Sequence, residues 1–256
     1  MEGRKIKMSI KGISKSFPID KKSKESVKVL EDVNIDVYEN EFLVLLGPGR
    51  CGKTVLMNIM AGLMEADEGS VTLDGKEITG PTSSIGVVFQ KTGLLPWKTV
   101  MQNAELGPKM RNVPKDERRK KCKYFLELVG LKGFENFYPR KLSGGMKQRV
   151  GIARAYSNDT DVLLMDEPFG ALDAQTRYSM QSEVLRMWEQ EKRTVVFVTN
   201  NLEEALFLGD RIILLTQPPC HVKEIYVPDI AKPRDNMDIK FLKLRKQIED
   251  NTELVL

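Results

Sequence analysis

Residues 47–54 read Gly-Pro-Gly-Arg-Cys-Gly-Lys-Thr, which fits the phosphate-loop template G-x-x-x-x-G-K-[ST]. No other stretch restricts the fold as much. The apolar segment 42–46 precedes the loop and the apolar-periodic run 55–64 follows it, so the local pattern is strand, glycine loop, helix. Glycines let successive backbone N–H groups turn inward around an anion, the helix start adds partial positive charge, and Lys53 adds a full one. Thr54 offers a hydroxyl to a magnesium ion that bridges phosphates. Such a loop is built to hold the phosphates of a nucleotide.

Residues 161–168, Asp-Val-Leu-Leu-Met-Asp-Glu-Pro, form an apolar strand ending in two carboxylates. Asp166 at the strand tip suits a magnesium contact, usually through water, and Glu167 beside it can act as general base on an attacking water. Paired carboxylates at a strand end are common alone; together with the loop they indicate a P-loop nucleotide hydrolase. The rest of the chain agrees with that fold. Segments 7–13 and 27–38 alternate as β-strands do, separated by a charged turn. From Thr92 to Asn158 the pattern is mostly helical, punctuated by Pro96, Pro108, Pro114 and Pro139. After Asp161 buried strands return and alternate with helical stretches at 174–192 and 202–208. The expected fold is α/β: a P-loop NTPase (RecA-like) core with a parallel sheet, an antiparallel β subdomain and an inserted α-helical subdomain. As boundaries, the spacing predicts a single domain with core and β subdomain in 1–91 and 159–216, a helical subdomain in 92–158, and a C-terminal extension in 217–256. In that extension Phe241, Leu244, Arg245 and Ile248 are spaced to share one helix face.

Charge and cysteine usage exclude several classes. Forty basic residues against 36 acidic ones leave a net charge of +4, too balanced for a nucleic-acid footprint, so no nucleic-acid partner is expected. The basic runs at 21–24 and 118–123 read as a solvated loop and a solvated helix face. Cys51, Cys122 and Cys220 have no spacing that suggests a disulfide framework or a zinc site, which points to a reducing compartment. No signal-like stretch opens the sequence, and its apolar runs are far shorter than the roughly 20 residues a membrane span needs.

A third motif narrows the class. Residues 142–149, Leu-Ser-Gly-Gly-Met-Lys-Gln-Arg, place a serine and two glycines ahead of a helical run, a second helix start suited to an anion. With the phosphate loop already present, this start suits a nucleotide held by another molecule. Leu142, Ser143, Gly144, Gly145 and Met146 resemble the signature of ATP-binding cassette (ABC) transporter ATPases, with Met146 where glutamine is more usual. The order of motifs matches that family across essentially the whole chain: loop at 47–54, Gln90 after the strand at 86–89, signature at 142–146, the carboxylate strand at 163–168, and Ala-Leu-Asp at 171–173. Segments 94–107, 168–177 and 210–235 resemble ATPase subunits of importers in the nitrate, sulfonate and taurine class.

The resemblance implies ATP and Mg2+ as ligands, with Thr54, Gln90 and Asp166 toward the metal and Glu167, Gln90 and position 200 toward the hydrolytic water. It implies nucleotide contacts from Gly47, Pro48, Gly49, Arg50, Cys51, Gly52, Lys53, Thr54 and Val55, and adenine stacking on Phe17, which could instead be a core aromatic between hairpin strands. The signature residues and Asp173 would face a second ABC ATPase subunit, a copy or a different chain. The implied partners are transmembrane permease subunits, reached through the lobe after Gln90, and indirectly an extracytoplasmic solute-binding protein; the implied location is the cytoplasmic face of the cell membrane. Three residues depart from the family pattern on the side of the chain's own nucleotide. Asn200 stands where a histidine is usual, Arg50 where a glycine is usual, which predicts strain unless Gly49 absorbs the turn, and Val55 where a hydroxyl is usual. An amide is shorter than imidazole and cannot become cationic. Asn200 thus predicts slow hydrolysis or an adequate substitute donor. An ATP-dependent clamp beside a competent ATPase, and a soluble non-transport cassette, stand as alternatives.

Overall fold

The structure, a computed structural model, describes residues 3–20, 25–170 and 172–252. The basic run at 21–24, Ala171 of the Ala-Leu-Asp motif and the last four residues of the C-terminal extension lie outside the described residues. In chain order the strands are β1 (Ile6–Pro18), β2 (Ser26–Tyr38), β3 (Phe42–Leu46), β4 (Glu68–Leu73), β5 (Lys76–Glu77), β6 (Ile85–Val88), β7 (Val162–Asp166), β8 (Thr194–Thr199), β9 (Arg211–Leu215) and β10 (Val222–Tyr226). The helices are α1 (Lys53–Met60), α2 (Val100–Ala104), α3 (Leu106–Met110), α4 (Lys115–Leu128), α5 (Gly144–Tyr156), α6 (Ala174–Glu191), α7 (Leu202–Leu208) and α8 (Ile239–Asn251). The chain divides into two compact units, 1–82 with 193–256, and 83–192.

In the first unit β3 runs parallel to both neighbours, with Leu45 opposite Val198 of β8 and Ile213 of β9. α7 packs against β3, and α1 against β8. A strand enclosed this way has no solvent side, which explains why 42–46 is an unbroken apolar run with every residue buried. β10 joins β9 antiparallel at the edge. The second sheet of this unit, in order β2-β1-β4-β5, is antiparallel and reads differently. Met8 and Ile10 are buried, while Ser9 and Lys11 between and beside them reach Asp36 on β2 at 2.6 and 3.1 Å. At Gly12, φ 63, the register slips, so Ile13 resumes the buried row that strict alternation would have given to residue 12. The expected face of α8 forms: Phe241 and Ile248 are buried, and Arg245 pairs with Glu203 of α7 at 3.3 Å.

In the second unit β6 and β7 pair in parallel, Ile85 opposite Val162 and Val88 opposite Met165. α5 packs on β6, α2 and α4, with the Phe125 and Tyr156 rings 5.7 Å apart in its core. Two of the prolines mark breaks, Pro114 as the N-cap of α4 and Pro139 at the start of a 3-10 turn before the signature, whereas Pro108 lies within α3. Along 118–123 the outer face of α4 carries charge, where Arg119 pairs with Glu105 and Lys121 with Asp159, while Cys122 points inward and is buried. Among the described residues no helix is long and apolar enough to cross a membrane.

Candidate functional site

In the first unit β3 delivers the chain to the loop 47–52, which turns into α1. The N-cap, Gly52, has φ 113, α1 has no side-chain cap, and its first turn holds no acidic residue. Its first N–H groups are therefore disposed toward an anion. A Cβ at Gly52 would stand 2.9 Å from Val29 Cγ1 and 3.0 Å from Leu30 Cδ2, so both conformation and space require glycine there. Lys53 is 4% exposed and its ammonium donates to the carbonyls of Gly47 at 2.9 Å and Pro48 at 2.6 Å. The charge is thus held inside the loop. Thr54 is exposed and Val55 half-exposed. Phe17 lies on β1 opposite Val27 and is partly buried, and Lys15 Nζ stands 5.8 Å from its ring centroid.

Gly49 does not absorb the turn. The left-handed conformation falls on Arg50, φ 62, and Gly49 is absent from the positive-φ residues. A side chain there costs about 1–2 kcal/mol, partly offset because glycine loses about 0.5–1 kcal/mol more backbone entropy on folding. Arg50→Gly is expected to raise the unfolding free energy by about 0.5–1 kcal/mol, read from urea denaturation. A loss of stability would mean that the Arg50 side chain itself holds the loop.

At the end of β8 the two adjacent amides have different duties. Asn201 is the N-cap of α7, its Oδ1 accepting from the Glu204 N–H at 3.0 Å. Glu204, 3% exposed, accepts at 2.5 Å from Thr199 Oγ1, which itself accepts from the Asn201 N–H at 3.0 Å. The Thr199 carbonyl accepts from the Gly47 N–H at 3.3 Å, tying this corner to the phosphate loop. Asn200 is exposed and its side chain has no hydrogen-bond partner among the described residues. The Thr199–Asn201–Glu204 network was not anticipated, although Asn201 with a glutamate three residues on is a readable capping pattern.

In the second unit Asp166 ends β7 with its side chain buried, and Glu167 follows at φ 39, again left-handed. Strain of this kind collects where a side chain must be aimed. Gln90 Nε2 donates to Glu167 Oε2 at 3.2 Å, so the structure brings these two candidates together. Ser143 caps α5, accepting from the Met146 N–H at 3.2 Å, with Leu142 buried behind it. A Cβ on Gly145 would come 2.9 Å from Thr176 Cγ2, whereas one on Gly144 would meet nothing within 4 Å. Gly145 is thus fixed by packing against α6, and Gly144 keeps an open surface. Asp173 caps α6, and the Thr176 N–H it binds at 2.9 Å holds its carboxyl below the usual range.

No group of three or more His, Cys, Asp or Glu among the described residues could hold a metal unaided. Thr54 carries a hydroxyl, Asp166 a carboxylate and Gln90 an amide oxygen, each a hard oxygen donor of the type magnesium takes beside waters and substrate phosphates.

The elements amount to a nucleotide-binding ATPase cassette. A family profile described as ABC transporter matches residues 30–170. An uncharacterized ABC transporter ATP-binding protein of Methanocaldococcus jannaschii is 49% identical over 244 residues, 95% of this chain and 90% of that protein. The aliphatic sulfonates import ATP-binding protein of Bacillus cereus is 41% identical over 94% of each chain. The taurine import ATP-binding protein of Roseobacter denitrificans is 39% identical over 97% of this chain and 92% of its own. Among solved structures, a dimeric bacterial ABC transporter cassette and a dimeric cassette in a post-hydrolysis state with ADP and Pi each align with TM-score 0.75 at 31% identity, over 89% of this chain and 99% of theirs. The chain belongs to the ABC transporter family, as an ATP-binding subunit with ATPase activity.

Proposed function

We propose that this chain is the ATP-hydrolysing subunit of an importer for a small anionic or polar solute of the sulfonate, taurine or nitrate kind. The observation that carries the enzymatic part is the presence on one chain of a phosphate loop with Lys53 held inside it and a strand-end Glu167 bonded to Gln90. Identities of 41% and 39% with sulfonate and taurine import subunits, over nearly the whole chain, support the importer class.

In this reading the loop from Gly47 to Thr54 wraps the phosphates, Lys53 neutralises their charge, and adenine stacks on Phe17. Thr54, Asp166 and Gln90 would offer oxygens to Mg2+, which would supply positive charge against the phosphates. Glu167 takes the proton of the attacking water through its carboxylate, and Gln90 fixes that carboxylate's orientation. Ser143, Gly144 and Asp173 serve the nucleotide of a second ATPase subunit, identical or different. Residues 92–158 act as the helical subdomain and 217–256 as an extension packed on the core. The subunit sits at the cytoplasmic face of the membrane, and the solute reaches the permease through an extracytoplasmic binding protein.

The permease contact is assigned to a cavity of about 550 Å³ in the second unit, lined by Gln90, Leu94, Pro96, Pro139 and Arg140 among others. Trp97 beside Pro96 is 69% exposed. A short helix with an apolar ridge fits such a groove, and an exposed tryptophan suits a binding anchor. Trp97→Ala is expected to leave ATP turnover of the isolated subunit within about twofold and to weaken permease binding by roughly tenfold or more. Co-purification from detergent checks it; retention of full binding would move the contact elsewhere. Stimulation of ATP turnover by reconstituted permease and sulfonate tests the function as a whole.

One observation favours a second reading. Asn200, shorter than histidine and unable to carry a proton, makes this chain's own nucleotide slow to hydrolyse, and a partner subunit with a competent site then supplies the fast turnover.

A further inference from the structure

α7 has seven residues, too few for a helix to hold its shape alone. Its last turn carries no basic residue, and its C-cap, Gly209, is extended at φ −72 and ψ 131, with its N–H donating to Ala205 O at 3.0 Å. The carbonyls of Leu206 and Gly209 are left for donors from outside the helix. The C-terminal extension supplies them. Arg234, 5% exposed, donates from Nη1 to Leu206 O and to Gly209 O, each at 2.6 Å, and from Nε to Ile230 O at 3.0 Å. A cation in that place also complements the negative end of the helix. Two residues earlier, Lys232 pairs with Asp210 at 2.7 Å. Asp210 is bonded to both backbone groups of Phe42, its N–H donating to Phe42 O at 2.8 Å and its Oδ2 accepting from the Phe42 N–H at 2.9 Å. The end of α7 is thereby fixed to the first residue of β3, the strand that leads into the phosphate loop.

The other end of α7 sets position 200. Thr199 Oγ1 and the Asn201 side chain both bond to Glu204 in the first turn, so residue 200 lies between two residues that the helix holds. At 1.5 Å per residue α7 is only about 10 Å long, and a rod this short passes a displacement of one end directly to the other. We propose that Arg234 is a positioning residue: by gripping the C-terminal end of α7 it keeps the Asn200 amide placed against the nucleotide of the phosphate loop, so that the C-terminal extension governs the rate of hydrolysis. The proposal rests on reading position 200 as a donor to that nucleotide. Arg234 acts from a distance, since its hydrogen bonds run to backbone carbonyls. The amide makes the placement demanding. It reaches less far than imidazole, and a misplacement of about 1 Å can cost roughly 100-fold in rate. Lysine cannot replace arginine in the grip, because a guanidinium spreads its donors over a fixed plane while an ammonium is a point charge on a flexible stem.

The test compares the full chain with Arg234→Lys, Asn200→Ala and the double variant, by steady-state ATPase kinetics and by hydrogen–deuterium exchange of the peptide spanning 199–205. Arg234→Lys is expected to lower kcat by roughly tenfold while KM for ATP stays within about twofold. Exchange at the start of α7 should quicken by roughly tenfold or more. In the Asn200→Ala background the same substitution is expected to lower kcat no further, which a general loss of stability would not produce. Where Arg234→Lys fails to fold by circular dichroism, Lys232→Gln, which weakens the hold on Asp210, carries the same comparison with an expected fall of about threefold. Unchanged kcat with unchanged exchange, or an equal fall in the Asn200→Ala background, overturns the proposal. Wild-type turnover in Asn200→Ala would instead overturn the reading of position 200, and the exchange measurement would still decide whether Arg234 holds the start of α7.

Discussion

Replacing Glu167 by glutamine is expected to lower ATP turnover by roughly 100- to 10,000-fold, the range a positioned general base contributes, while leaving ATP affinity nearly unchanged. The substitution is close to isosteric and leaves an oxygen that can accept from Gln90 Nε2, which now donates to Glu167 Oε2 at 3.2 Å. The left-handed backbone at φ 39 belongs to the residue whatever its charge. What disappears is the ability to accept a proton from water. Single-turnover kinetics should therefore show a block in hydrolysis, and size-exclusion chromatography should show an ATP-bound dimer that no longer disperses. Turnover within about tenfold of wild type would place the base elsewhere, and a parallel loss of ATP binding would mean that Glu167 is a structural residue.

Much of this machinery was legible because it depends on local order. β3 is apolar throughout and β7, β8 and β9 each carry four apolar residues in a row, since buried parallel strands leave no polar side, and a run of five such residues beside a glycine loop has few other readings. Ser143 and Asp173 sit at helix starts, where their side chains cap as their residue types suggest. The features that escaped depend on which conformer wins or on chain return. A glycine adjacent to Arg50 invites the inference that it takes the left-handed turn, yet loop geometry gives that turn to Arg50. Two identical amides in succession conceal that Asn201 caps a helix while Asn200 faces outward. The bond of Glu204 to Thr199 depends on how α7 starts at the end of β8, which no spacing records.

Asn200→His is expected to raise turnover by roughly tenfold or more, up to the 100- to 1,000-fold range that one preorganised donor to a developing anion is worth, with ATP affinity little changed. The surroundings favour a clean exchange. The Asn200 side chain is exposed and bonds to nothing among the described residues, so the substitution removes no contact. Thr199 before it and Asn201 after it are fixed by Glu204 and by the Gly47 N–H, so the backbone that aims position 200 is already set. Imidazole is longer than the amide, can donate from either ring nitrogen and can carry a proton near neutral pH, where an amide cannot. Because the gain belongs to the transition state, it should appear in kcat and leave KM nearly unmoved. Steady-state ATPase assays of the purified subunit, with and without its permease, decide it. A rise in kcat alone marks the site as slow by virtue of its amide and makes a faster partner subunit the expected companion. An unchanged kcat means that Asn200 already supplies the donor, and that a homodimer of this chain is sufficient to drive transport.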